Sequence, residues 1–311
     1  MERLAAARAA PTGPRRRFIG VAILAGGLAS GCDDGQHLAA PTGSANDPIV
    51  VPRREIPRTA RPDPSGHPSA PATHPSASIR SPTDIGCPDG MARRGRFCID
   101  RFEIRLISRT DGTPHPHNVH PPADLHGFLA RSEHGVFPQG HLSQRQADAA
   151  CNNAGKRLCS LDEWQSACRG KESWAFPYGP ARIEGACNVN KRDPHILDKY
   201  FPDIPHMKRA GKEFNDERLL LDPDYLATTG KSAPCSTYDG ISDMDGNLSE
   251  WVGDTVMKSL GGKETAFGTF AGDAFSGGGT QGCGRKTDAH AADYYDYSMG
   301  TRCCKDAGQL R

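Results

Sequence analysis

Eleven cysteines are the residues of this chain best suited to chemistry, and they are unevenly placed. Cys32 closes an apolar leader, and the other ten lie between Cys87 and Cys304. A thiol can pair oxidatively, attack as a thiolate, or ligate a soft metal. Ten clustered thiols seldom persist in a reducing cytosol, so the pattern predicts an exported domain in which they pair. A second group, His115, His117, His120 and His126, sits in a proline-rich stretch. These imidazoles read either as ligands for a metal such as Zn²⁺ or as scattered loop residues.

The N-terminus supplies an address. Basic residues ending in Pro14-Arg15-Arg16-Arg17 precede an apolar run from Phe18 to Leu28. That run is too short to span a bilayer, which takes about 20 apolar residues. Residues 1–31 therefore read as a signal peptide. Ala29-Ser30-Gly31-Cys32 resembles a bacterial lipobox, which makes Cys32 the lipidated N-terminus of the mature protein. Arg15-Arg16-Arg17-Phe18-Ile19 suits either twin-arginine or Sec export. Residues 32–84 form the anchor and a linker rich in Pro, Ser, Ala, Thr and Arg. Such a composition buries too little apolar surface to offset its chain entropy, so disorder is expected. The formal charge of +1 gives no reason to expect nucleic-acid binding.

Residues 85–311 remain for one folded domain. A helix is expected from Ser143 to Ala154, with Ser143 and Gln146 as a capping box and Gly155 as its stop. A second is expected from Leu161 to Cys168, capped by Ser160 with Glu163. Strands are expected at Phe97–Ile104 and Met299–Cys303. The stretch Asn188–Thr229 shows no period and reads as loop. Two short helices in a loop-rich, cysteine-bearing domain predict an α+β class.

Several segments then line up in order. Cys98-Ile99-Asp100-Arg101-Phe102-Glu103 comes first. Ala147-Asp148-Ala149-Ala150-Cys151-Asn152-Asn153-Ala154-Gly155-Lys156-Arg157-Leu158 follows, with Glu163-Trp164 and Cys168-Arg169-Gly170 behind it. Next are Phe176-Pro177-Tyr178-Gly179 and Asp243-Met244-Asp245-Gly246-Asn247-Leu248-Ser249-Glu250-Trp251. Gly277-Gly278-Gly279, Cys283-Gly284-Arg285 and Gly300-Thr301-Arg302-Cys303 close the set. Together they resemble the formylglycine-generating enzyme, or sulfatase-modifying factor, family. The resemblance implies a C-type-lectin-like fold with little regular secondary structure.

Active members of that family use oxygen and a copper ion on two cysteines to oxidise a sulfatase cysteine to formylglycine. Those cysteines lie four residues apart, just after the Gly-Gly element. Here only Cys283 follows Gly278-Gly279 before Cys303. Cys283 corresponds either to the first copper cysteine, with Asp288 at the second position, or to a later structural cysteine. Both alignments leave the copper pair incomplete, and Ser249 replaces a family tryptophan near the cleft. Catalysis would then rest on Cys283 alone.

The resemblance also implies calcium, held by Asp243 and Glu250 with backbone carbonyls of Gly246 and Leu248, a hard-oxygen set. A second calcium site falls near Asn188 and Val189, with Asp222 or Asp224 as its acid. For the cysteines, the resemblance implies Cys151–Cys303 and Cys168–Cys283. Cys87 and Cys98 flank a short glycine-containing turn and are expected to pair. Cys187–Cys235 joins the loop-rich middle, which leaves Cys159–Cys304, with Cys303 and Cys304 able to exchange partners.

These readings predict a lipid-anchored envelope protein facing the periplasm or cell surface. It would be a non-oxidase module that binds a protein or glycan, or assists another enzyme. The alternative is a copper- and oxygen-dependent oxidase of sulfatase cysteines.

Overall fold

The computed structural model describes residues 84–308. The leader 1–31, Cys32 and the linker as far as residue 83 lie outside the described residues. Every described residue belongs to one compact unit, Ala72–Arg311.

Both capping boxes form. In α1 (Gln144–Asn153) the Ser143 hydroxyl accepts from the Gln146 N–H, and the Gln146 side chain accepts from the Ser143 N–H. The helix buries Ala147, Ala150 and Cys151, small residues that allow close approach to the sheet behind. In α2 (Leu161–Arg169) Ser160 and Glu163 reciprocate in the same way, and the helix runs one residue further than expected at its C-terminal end. Its buried Trp164, Ala167 and Cys168 recur at helical spacing on one face.

The two expected strands are each divided, and Arg302 touches both breaks. The first becomes β2 (Phe97–Asp100) and β3 (Ile104–Ser108). The second becomes β9 (Met299–Thr301) and β10 (Cys303–Asp306). Arg302, between β9 and β10, points Nη1 at the carbonyls of Asp100 and Arg101, 3.2 and 3.3 Å away. The guanidinium thus sits at the end of β2, where the Arg101 carbonyl also accepts from the Ser242 N–H at 2.8 Å. At Arg302 the chain also changes sheets. β9 pairs in parallel with β6 (Ser249–Leu260), whereas β10 pairs with β2 and with β5 (Arg157–Leu158).

Three sheets result. One has the order β1-β2-β10-β5, with β1 at Met91–Arg94. The second is the pair of β3 with β4 (Phe128–Ser132). The third has the order β8-β7-β6-β9, with β7 at Lys263–Ala271 and β8 at Lys286–Ala291. The β6–β7 hairpin turns on Gly261-Gly262, both at positive φ (59° and 81°), as a two-residue turn of this hand requires. The stretch Asn188–Thr229 is largely loop but holds four helical turns: α3 (Ile196–Tyr200), α4 (Gly211–Phe214) and 3₁₀ turns at His206–Lys208 and Glu217–Leu221. Turns of three to five residues are too short to show a helical period in sequence. They build an apolar cluster of Ile196, Leu197, Leu219, Leu220, Tyr225 and Leu226 against Leu248 and Phe275.

Five disulfides brace the domain: Cys87–Cys98, Cys151–Cys303, Cys159–Cys304, Cys168–Cys283 and Cys187–Cys235. They account for all ten cysteines between Cys87 and Cys304, in the pairs expected, with no exchange between Cys303 and Cys304. Such bonding belongs to an extracellular or periplasmic compartment. No helix among the described residues is long and apolar enough to cross a membrane.

Candidate functional site

The expected catalytic and metal residues fall in three places. Cys283 lies in a 3₁₀ turn, Gly282–Gly284, with no exposed surface, and is bonded to Cys168 of α2. Its N–H donates to the Ala175 carbonyl at 2.9 Å. Asp288, the other position in the first copper alignment, lies on β8 and pairs with Lys258 at 2.9 Å. Copper(I) needs thiolates, and every described cysteine is already bonded to another sulfur. These residues do not fit a two-cysteine copper site.

The calcium positions surround a buried charge cluster. Both Glu250 oxygens are taken: Arg302 Nε and Nη2 donate to them at 2.7 Å each, and Trp164 Nε1 donates at 2.7 Å. Arg302 Nη2 also donates to the Ser242 carbonyl at 2.8 Å. Asp243 accepts from the Gly230 N–H at 2.6 Å, and burial pushes its carboxyl up to about 6. Glu103 accepts from Asn247 Nδ2 and from the Leu248 N–H, at 2.6 and 2.9 Å. Burial, then Asp243 and Glu250 nearby, hold its carboxyl well above the usual range. Three buried acids thus face one guanidinium. Gly246 is required by close approach, since a Cβ there would lie 2.5 Å from the Asn188 carbonyl oxygen. Among the described residues, no group of three or more His, Cys, Asp or Glu side chains is placed to hold a metal ion. Of the four expected calcium positions, Glu250 is thus engaged by Arg302 and Trp164, and Asp243 by the Gly230 N–H.

The second calcium position fares similarly. The Asn188 carbonyl accepts from the Asn247 N–H at 2.9 Å, and Asn188 Nδ2 donates to Asn247 Oδ1 and to the Tyr225 carbonyl. Val189 packs against Gly246 and Gly279. Asp222 is paired with Lys199 at 2.7 Å. The histidines are likewise separately occupied. His115 meets Gln139, His117 the Leu220 carbonyl and His120 the His141 carbonyl, while His126 is exposed beside Asp124.

Two features had no expectation attached. Asp245 is 1 % exposed, and its Oδ1 has no hydrogen-bond partner among the described residues. Burial and then Asp273 push its carboxyl up to about 6. The other is a cleft of about 310 Å³ beyond the C-terminal end of α2, lined by Arg169, Lys171, Glu172, Trp174, Pro177 and Tyr238. Its residues come from two distant turns, so no sequence window displays it. The legible signal was Tyr238, an aromatic inside the polar run Ser236-Thr237-Tyr238-Asp239-Gly240.

Fold and site together define a loop-rich, disulfide-braced α+β domain of the C-type-lectin-like, formylglycine-generating-enzyme type. Residues 117–307 match the model of the sulfatase-modifying factor enzyme 1-like domain, and the chain belongs to that family. Among solved structures it is similar to CarF, with 14 % identity, 68 % of this chain and 87 % of that chain covered, and a TM-score of 0.42. It is similar to PvdO from Pseudomonas aeruginosa, with 14 % identity, 68 % and 80 % covered, and a TM-score of 0.39. It is also similar to variable protein 1 of Treponema denticola, with 12 % identity, 71 % and 93 % covered, and a TM-score of 0.41. No curated protein matches the chain.

Proposed function

We propose that this chain is a non-oxidase member of its family, working at the bacterial cell envelope as a binding or accessory module. The observation that carries this reading is the Cys168–Cys283 bond. It removes the one thiol that sequence left for catalysis. The leader and Cys32 support export and lipid anchoring, with the linker holding the domain away from the membrane.

The test incubates the pure protein with Cu(I), oxygen and a sulfatase-type cysteine peptide, and reads the peptide mass. The expected result is an unchanged peptide. A mass matching the aldehyde, formed catalytically, would establish the oxidase instead.

A further inference from the structure

We propose that the cleft between Trp174 and Tyr238 binds an anionic sugar chain, with sugar ring faces on the two aromatics and acidic groups on Arg169 and Lys171. This inference rests on reading the chain as a binding module and names the ligand class.

The cleft is built on two braced walls. One is the turn from Arg169 to Ala175. Its start follows Cys168, and its end is held by the hydrogen bond from the Cys283 N–H to the Ala175 carbonyl. The Cys168–Cys283 bond therefore ties both ends of this turn to one point. Within it, the Trp174 N–H donates to the Arg169 carbonyl at 3.0 Å. The other wall is the turn carrying Tyr238. Arg94 pairs with Asp239 at 2.7 Å, and Arg101 donates to the carbonyls of Asp239 and Gly240. Lys171 Nζ stands 5.1 Å over the Tyr238 ring and links the two walls.

The lining is chemically mixed in a particular way. Tyr238 is 83 % exposed, a large aromatic surface with no structural role in the core. Trp174 is half-buried beside Pro177. The axial C–H face of a sugar ring is apolar and complements the negative face of an aromatic ring. Arg169 and Lys171 are exposed cations against the single acid Glu172, whose Oε1 lies 3.7 Å from Lys171 Nζ, so Arg169 is the cation left open to a ligand anion. Arg169 is exposed on the cleft wall. A guanidinium so placed accepts a carboxylate or sulfate bidentately. The cleft volume of about 310 Å³ is at the small end for ligand sites, which run from about 300 to 1,000 Å³, and suits one or two rings of a chain that continues into solvent.

Two other ligand classes share part of this chemistry. Single-stranded nucleic acid also stacks on aromatics with phosphates on cations. The net charge of +1 and the extracytoplasmic disulfides disfavour it. An acidic peptide would use the same cations but brings no sugar ring face to Trp174 and Tyr238.

The experiment titrates the full chain, in detergent, by calorimetry with five hexamers: oligogalacturonate, a sulfated heparin-type oligosaccharide, maltohexaose, hexaglutamate and oligo-dT. One or both acidic sugars should bind saturably, at least about tenfold tighter than maltohexaose, and more weakly as salt rises. The two acidic sugars distinguish carboxylate from sulfate as the anion. Tyr238→Ala and Arg169→Gln, both at exposed positions, should each weaken binding about tenfold with an unchanged melting temperature. Absence of saturable sugar binding would overturn the proposal. So would equal binding of hexaglutamate or oligo-dT, or binding that both substitutions leave unchanged. Aldehyde formation is read in a separate assay, so failure here leaves the non-oxidase reading standing.

Discussion

Arg302 holds Glu250 through two hydrogen bonds of 2.7 Å, with both side chains almost wholly buried. The pair sits where the chain passes from β9 to β10, and Arg302 also caps the end of β2. One guanidinium thus joins two sheets and occupies the carboxylate that the family resemblance implied for calcium.

Glu250→Ala should therefore destabilise the domain by about 3–5 kcal/mol, because Arg302 loses both carboxylate hydrogen bonds and keeps only the charge attraction of Glu103 and Asp243 against its desolvation penalty. Urea denaturation at neutral pH measures this. A loss below about 1 kcal/mol would mean that Arg302 finds water or another acid when Glu250 is gone.

Calcium gives a second outcome from the same contact. Added calcium, or chelation with EGTA, should leave the melting temperature unchanged. A concentration-dependent rise would show that the ion binds the folded state, displacing Arg302 from Glu250.

His141 predicts a pH dependence. It is 1 % exposed, its Nδ1 lies 3.1 Å from Asn215 Oδ1, and its Nε2 has no hydrogen-bond partner among the described residues. Burial holds its pKa below 6.5, with Asn215, Asp296 and Asp216 pulling upward and His120 downward. Above pH 6.5 both folded and unfolded states carry it neutral. As pH falls below that value the unfolded chain takes a proton that the folded chain refuses, so stability is lost down to the folded pKa. His117, His195 and His290 are shifted the same way, also first by burial. His141→Phe should thus flatten part of the acid slope relative to the parent protein, in matched urea titrations from neutral to mildly acidic pH. Parallel curves would contradict the assignment.

Much of the scaffold was legible because its signals are local. Ser143 with Gln146 and Ser160 with Glu163 announce their helices within four residues. The α+β class followed from the short helices, and the cysteine pattern and family resemblance implied the bridges. Arg302 stood inside a recognised motif, yet its role depends on Asp100, Arg101, Ser242 and Glu250, which converge only in the fold. The Gly261-Gly262 turn was visible in sequence but its hairpin was missed, since β6 and β7 lack clean alternation. The cleft at Trp174 and Tyr238 joins residues more than sixty positions apart. No periodicity reports such a meeting.

Lipid anchoring has its own test. Cys32→Ala should move the protein from the membrane fraction to the soluble fraction and remove the added acyl mass from the N-terminal peptide. Unchanged membrane retention would exclude Cys32 as the anchor.

The central claim is that Cys283 is scaffold and not catalyst. Peptide mapping of the purified protein by mass spectrometry, with free thiols blocked and without reduction, tests it most directly. The account predicts a cross-linked peptide joining Cys168 to Cys283 and no blocked form of either. A blocked, unpaired Cys283 in folded protein would contradict it.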